Sequence, residues 1–208
     1  MLENIKNIIL DLGGVIINLN QQLTYDAFKK LFPSKYEKIL IELESNNYLE
    51  KFETAEISKK EFISFIQKFD TSISEKEIEK AWNSMLLDIP ENRIQLIKSL
   101  AKKYNVYLLS NTNEIHYQYI ENYAVQEFNV LSFKSIFKQV YLSHEIKLRK
   151  PNPAIFNYVL NNSNLLPQEA LFIDDTLEHI NSAKQLGIQT HHLNLQENQT
   201  LNQFFNEH

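Results

Sequence analysis

Aspartate side chains at two widely separated places in the sequence could do chemistry. Asp11 follows an apolar run over residues 5–10, and the pair Asp174-Asp175 follows a similar run over residues 170–173. Carboxylates that converge repel one another unless a cation binds them, and a hard divalent ion with oxygen ligands removes that cost. Mg²⁺ suits such a site because it keeps several waters and can share a substrate phosphate. The three aspartates therefore predict a Mg²⁺ site.

Three other polar side chains would complete a site for an anion. Ser110 and Asn111 follow the apolar run over residues 106–109 and precede a predicted helix, whose first backbone N–H groups favour phosphate. Lys150 would add a fixed positive charge beside the same anion. A carboxylate nucleophile, a metal, hydroxyl and amide donors and a lysine together indicate phosphoryl transfer. Asp11, Ser110 and Lys150 are the predicted catalytic residues.

A parallel sheet is the element that would bring these side chains together. Short apolar runs alternate with helical patterns, which predicts parallel strands joined by right-handed crossovers. Such sheets bind ligands at the carboxyl ends of their strands, where the polar residues fall here. We therefore predict an α/β fold, with a doubly wound Rossmann-like parallel sheet as its core. The predicted strands cover residues 5–10, 106–109, 140–142, 170–173 and 188–193.

Residues 19–88 have a different pattern, because apolar residues recur there at helical spacing and no convincing strand is present. Ser58 with Glu61, and Ser74 with Glu77, have the spacing of capping boxes that open helices. We interpret this stretch as a small inserted α-helical bundle that caps the sheet edge. The predicted domains are a core of residues 1–18 and 89–208 and a cap of residues 19–88. The two connections between them are the predicted hinges.

Four segments resemble, in order, the four motifs of the haloacid dehalogenase (HAD) superfamily, and the resemblance spans nearly the whole chain. The helical insert after the first motif looks like the helical cap of that family. The resemblance implies a hydrolase that is similar to sugar-phosphate phosphatases such as those acting on α-D-glucose 1-phosphate. The segments are Ile9-Leu10-Asp11-Leu12-Gly13-Gly14-Val15, Leu108-Leu109-Ser110-Asn111-Thr112, Arg149-Lys150-Pro151-Asn152-Pro153 and Phe172-Ile173-Asp174-Asp175.

The position of each residue in these motifs implies a role. Asp11 would be the nucleophile that forms an aspartyl-phosphate. The implied Mg²⁺ ligands are Asp11, the Gly13 carbonyl, Asp175 and Asp174, the last either directly or through a water. The implied substrate-binding residues are Ser110, Asn111, Lys150 and Gly14.

Gly13 is a departure from the family pattern. Phosphatases of the family usually carry a second aspartate there as general acid and base, a group that contributes roughly 10²–10⁴-fold. One alternative is therefore a catalytically weak or inactive phosphate-binding protein. A further alternative is a 2-haloacid dehalogenase, although that reaction needs no metal and would not favour Asp174-Asp175. His179, where relatives often have Asn or Asp, is a candidate proton carrier, but a position at the surface or behind a metal ligand is favoured.

Composition limits the remaining function classes. The 208 residues include no cysteine and 43% hydrophobic residues, so disulfides are excluded and a packed core is expected. A net charge of −5 disfavours nucleic acid as a partner, and no apolar run is long enough to span a bilayer. We expect a cytoplasmic monomer or homodimer that acts on a small phosphorylated metabolite.

Overall fold

A five-stranded parallel sheet forms the centre of the computed structural model, which describes residues 2–207. The strand order is β3-β2-β1-β4-β5, so β1 lies between β2 and β4. The predicted doubly wound α/β fold and its five strands are confirmed, although β1 begins two residues later than the apolar run. The strands are β1 (Asn7–Leu10), β2 (Asn105–Ser110), β3 (Gln139–Leu142), β4 (Ala170–Asp174) and β5 (Gln189–His192).

Both faces of this sheet are covered, which explains why its central strands are apolar throughout. Successive residues of a strand point to opposite faces. Ile8 and Leu10 therefore join one buried cluster, whereas Ile9 joins the other with Leu109 and Phe172. The polar side chains begin only where the strands end, so the site residues lie at one edge of the sheet.

Eleven α-helices surround the sheet within residues 2–207, and the first five lie between β1 and β2 in the chain. These five are α1 (Gln21–Leu31), α2 (Tyr36–Ser45), α3 (Tyr48–Glu53), α4 (Lys59–Gln67) and α5 (Glu75–Trp82). The others are α6 (Glu91–Leu100), α7 (Glu114–Phe128), α8 (Ser143–Ile146), α9 (Pro153–Asn162), α10 (Leu177–Gln185) and α11 (Leu201–Glu207). Short 3₁₀ helices cover Asn83–Met85, Phe133–Ile136, Pro167–Glu169 and Leu195–Glu197. None of the helices in the described part of the chain has the length and apolar character needed to cross a membrane.

Helices α1 to α5 pack around an aromatic cluster of their own. Phe52 and Phe62 stack with ring centroids 4.5 Å apart, and Phe62 lies 4.8 Å from Trp82. Both predicted capping boxes are confirmed. The hydroxyl oxygens of Ser58 and Ser74 accept the backbone N–H of Glu61 and of Glu77, and the backbone N–H of each serine donates to the side chain of the same glutamate. The helical insert therefore has a core distinct from the two clusters on the sheet.

The two connections between insert and sheet run antiparallel and hydrogen-bond to each other. Asn18 N–H donates to Asp88 O at 3.0 Å, and Leu87 N–H donates to Asn18 O at 3.0 Å. Asn20 N–H also donates to Met85 O at 2.9 Å. The insert is thus connected to the sheet by two hydrogen-bonded segments, residues 18–20 and 85–88, which we call the stalk. The domain boundaries and the hinges in this stalk stay predictions.

Candidate active site

Asp11 occupies the first position after β1, at the centre of the sheet edge. Its backbone N–H donates to Ile173 O at 2.9 Å, which continues the pairing of β1 with β4 past the end of the strand. The Asp11 side chain lines a cavity of about 480 Å³ between the sheet edge and the helical insert. The fold therefore presents this carboxylate to a cavity large enough for a small metabolite.

Lys150 lies completely buried beneath Asp11, with no exposed side-chain surface. Its Nζ donates to Asp11 Oδ1 at 2.7 Å, to Asp174 Oδ2 at 2.7 Å and to Leu109 O at 3.0 Å. An ammonium group has three donors, so every one of them is used. Lys150 thus fixes both carboxylates in place.

The protonation of these carboxylates follows from burial and from their neighbours. Burial, with repulsion from Asp174, raises the pKa of Asp11 to about 7 even though Lys150 opposes the shift. Burial also acts to raise the pKa of Asp174, but Lys150 and His179 outweigh it and hold that pKa at about 2. Burial and the Asp174 charge raise the pKa of Asp175. Full ionisation of all three carboxyls is therefore disfavoured while Lys150 is the cation that balances them.

A divalent cation fits this arrangement of carboxylates. Oxygen atoms of Asp11, Asp174 and Asp175 lie within 4.8 Å of one another. Three ionised carboxylates against the single ammonium of Lys150 leave two negative charges, which a divalent ion would neutralise. The donor set consists of oxygen atoms, as Mg²⁺ prefers. The predicted metal ligands are therefore brought together, and their ligand roles are taken up below as a proposal.

Gly14 gives Asp175 room to approach this cluster. Its φ is +69°, and a Cβ built at this position would lie 2.6 Å from Asp175 Oδ2. Any larger residue would thus push the carboxylate away. The Gly14 N–H donates to Ile17 O at 2.9 Å, so it is already engaged in the turn. Gly14 was predicted as substrate-binding, and the structure indicates a spatial role beside Asp175.

The two polar residues after β2 have different surroundings. Ser110 is 2% exposed and lines the cavity, where its hydroxyl makes only a long 3.4 Å contact to Asn111 O. The Asn111 side chain accepts from Lys150 N–H and donates to Lys150 O, both at 2.8 Å. Ser110 therefore remains available to an anion. The Asn111 amide holds the backbone that carries Lys150, and its role in binding phosphate stays a prediction.

The side chain of Leu19 fills the space beside Gly13, the position at which the family pattern usually has a general acid. A Cβ built on Gly13 would lie 2.7 Å from Leu19 Cδ1. Leu19 belongs to the stalk, so the stalk itself covers this position. No titratable group thus stands at position 13 above Asp11.

His179, the candidate proton carrier, is paired with Asp174. Its Nδ1 lies 3.0 Å from both Asp174 carboxylate oxygens. The ring also lines the cavity, and 14% of its side chain is exposed. His179 therefore helps to orient Asp174, a contact that agrees with the favoured position behind a metal ligand.

Sequence reasoning missed a contact between the insert and the segment that carries Lys150. Arg149 Nε lies 3.0 Å from Glu53 Oε2, and Arg149 Nη1 lies 3.7 Å from Glu50 Oε2. Burial raises the pKa of Glu53, and Arg149 partly opposes the shift. Only acidic residues at the end of a cap helix and a basic neighbour of Lys150 could have suggested this link.

Arg149→Gln is expected to loosen the insert over the cavity without unfolding the protein. Both partners are partly exposed, so the free energy of unfolding should change by less than about 1 kcal/mol. We expect the substrate KM to rise about 2- to 5-fold, which corresponds to such an energy. Lys6→Gln, which breaks the partly exposed Lys6–Glu169 pair beside the start of β1, is the matched control. Equal KM values in both variants would contradict this role for Arg149.

Comparisons with known proteins identify relatives along almost the whole chain. The family model described as haloacid dehalogenase-like hydrolase matches residues 8–193. The chain is 30% identical over 190 residues to D-ribitol-5-phosphate phosphatase of Bacteroides thetaiotaomicron, covering 89% of this chain and 90% of that protein.

Solved structures extend this likeness to the fold. The crystal structure of a HAD family enzyme from Bacteroides thetaiotaomicron matches with a TM-score of 0.85 and 36% identity, over 91% of this chain and 94% of that one. A complex of the wild-type form of that enzyme with magnesium and inorganic phosphate gives a TM-score of 0.81 and 37% identity, over 90% and 93% of the two chains. The chain therefore belongs to the haloacid dehalogenase-like hydrolase family.

Proposed function

We propose that this chain is a Mg²⁺-dependent phosphatase that hydrolyses the phosphate ester of a small polyhydroxylated metabolite. The observation that carries the proposal is the setting of Asp11, held by Lys150 beside Asp174 and Asp175 and open to the cavity. A relative at 30% identity is a D-ribitol-5-phosphate phosphatase, and a structural relative binds magnesium and inorganic phosphate. A sugar or sugar-alcohol phosphate is the substrate class that these findings favour.

Asp11 is the proposed nucleophile. Lys150 engages Oδ1 and leaves Oδ2 for attack on phosphorus, which forms an aspartyl-phosphate and breaks the bond to the ester oxygen. The leaving alkoxide takes a proton from water and departs as the alcohol. Water then cleaves the acyl phosphate, which releases inorganic phosphate and regenerates the carboxylate. Asp11, Asp174, Asp175 and the Gly13 carbonyl would hold Mg²⁺, whose charge would offset that of the phosphoryl oxygens.

The remaining residues would position the phosphate. Ser110 would donate its hydroxyl to a phosphoryl oxygen. Asn111 would act through Lys150, because its side chain holds the Lys150 backbone at two points. The cytoplasmic location and the monomeric or dimeric state stay predictions.

A substrate panel tests this function directly. It would contain D-ribitol 5-phosphate, α-D-glucose 1-phosphate, acetyl phosphate and p-nitrophenyl phosphate, each assayed for phosphate release with Mg²⁺ and with EDTA. We expect Mg²⁺-dependent release from at least one sugar or sugar-alcohol phosphate. Absence of release from every compound would refute the phosphatase proposal.

Gly13 favours a second candidate function, phosphate binding with little turnover. Leu19 fills the position of the usual acid, so departure of a basic alkoxide is unassisted. A dehalogenase is less favoured, because its reaction has no use for the cluster of Asp11, Asp174 and Asp175.

The leaving group is therefore expected to control the rate. We expect p-nitrophenyl phosphate to be hydrolysed at least about 10²-fold faster than n-pentyl phosphate, because a general acid is worth about that factor to a poor leaving group. The double variant Gly13→Asp, Leu19→Ala should reduce the ratio of these two rates, and Leu19→Ala alone is its control. Equal wild-type rates on the two esters would show that another group supplies the proton.

A further inference from the structure

His116 is one of the residues that line the cavity, and it lies near the start of α7. Its ring stacks on Trp82 of α5, with centroids 5.2 Å apart and planes 4° from parallel. Only 9% of the residue is exposed, and it lines the same cavity as Asp11 and Ser110. A nearly buried imidazole is therefore packed between α5 and α7, in the wall of the cavity that also contains Asp11.

A hydrogen bond fixes which ring nitrogen carries the proton. Nδ1 of His116 lies 2.9 Å from Asn83 Oδ1. A carboxamide oxygen only accepts, so Nδ1 must donate its hydrogen. In a neutral imidazole, Nε2 then keeps its lone pair and can only accept. Burial lowers the pKa of His116 to about 3, so the ring is neutral at physiological pH.

The other ring nitrogen of His116, Nε2, has no hydrogen-bond partner among the described protein groups. Ser182 Oγ is the buried side-chain polar atom without a partner within residues 2–207, so Nε2 is not sealed in the core. His116 lines the cavity, and we place its Nε2 at that wall. A bound molecule would meet an uncharged acceptor at this point.

We propose that Nε2 of His116 accepts a hydrogen bond from a hydroxyl group of the substrate and so selects hydroxyl-rich phosphate esters. This inference rests on the proposed phosphatase function and deepens it. A neutral acceptor pairs with a hydroxyl but repels a carboxylate or a second phosphate. An ester that lacks the hydroxyl would leave Nε2 desolvated and without a partner. Because this costs free energy, the site would bind such an ester less tightly than one that carries the hydroxyl.

The matched substrates for the test are D-ribitol 5-phosphate and n-pentyl phosphate, which share a five-carbon chain and differ in hydroxyl groups. In His116→Phe, which keeps an aromatic ring beside Trp82, the ratio of their kcat/KM values is expected to fall about 10-fold, the worth of one hydrogen bond. His116→Gln, which retains an acceptor, should recover part of the ratio. Gln118→Leu on the exposed side of α7 is the control and should leave the ratio unchanged. An unchanged ratio in His116→Phe would overturn the proposal.

Nitrogen-15 NMR of the imidazole rings gives a readout that needs no turnover. Wild-type His116 should show a protonated Nδ1 and an unprotonated Nε2, and added ribitol should shift the Nε2 resonance. The opposite tautomer, or no shift at saturating ribitol, would refute the inference even if His116→Phe fails to fold. Loss of all phosphate release would refute the phosphatase, whereas activity with a wrong tautomer would refute only the His116 role.

Discussion

Asp11→Asn is expected to abolish turnover, with a rate at least about 10⁴-fold below that of the wild type. The amide that replaces the carboxylate is no nucleophile toward phosphorus, and nucleophile removal typically costs this much or more. Lys150 keeps its contact with Asp174, so the variant should fold. Initial rates on the best substrate of the panel, with single-turnover trapping of the phosphorylated protein by acid quench, measure the effect.

Asp26→Asn is the control for the change in charge, because Asp26 is exposed on α1. It should keep wild-type rates. An acid-stable protein phosphate in Asp11→Asn, or a rate within 10-fold of the wild type (about 1.4 kcal/mol), would show that another residue is the nucleophile.

Lys150→Met is expected to destabilise the protein by about 3–5 kcal/mol, the usual cost when one partner of a buried ion pair is removed. Asp11 and Asp174 would then lose the ammonium that both contact at 2.7 Å. Urea unfolding followed by circular dichroism measures the change. Turnover should also be lost, because Asp11 would no longer be held in place.

The loss of stability in Lys150→Met, called the deficit below, should depend on pH with a definite sign. Without Lys150, burial raises the pKa values of both carboxyls above their ordinary value of 3.8. A raised carboxyl pKa favours the folded state at low pH, and that advantage is lost as pH rises through the folded-state pKa. The deficit should therefore be larger at pH 8 than at pH 5. Lys184→Met, at an exposed position on α10, is the control, and an equal loss of stability there would contradict the argument.

The site at the sheet edge was predictable because its aspartate and serine residues directly follow apolar segments that predict strands. Asp11, Ser110 and Asp174 each follow an apolar run of strand length, and parallel strands bring their carboxyl ends to one edge. The capping boxes at Ser58 and Ser74 are likewise local, because each involves residues three positions apart. Short-range patterns of this kind can be read from a sequence.

The buried state of Lys150 could not be predicted in this way. Lysines are mostly exposed, and only the combined attraction of Asp11 and Asp174 stabilises its charge against desolvation. The engagement of Asn111 with the Lys150 backbone has the same origin, because it joins residues 39 positions apart. Contacts such as Arg149 with Glu53 depend on how the insert docks on the sheet, and no local pattern encodes that docking.

Lys150 and Asp11 are 139 positions apart, and this distance determines when the site can form during folding. The ribosome makes β1 first, yet β1 becomes a central strand only after both β2 and β4 have been synthesised. Contacts of such long sequence separation close slowly, because the chain loses loop entropy before they form. The aspartates therefore cannot converge in a nascent chain that lacks β4. Tight Mg²⁺ binding would mark the last stage of folding, and a truncated chain would not acquire it.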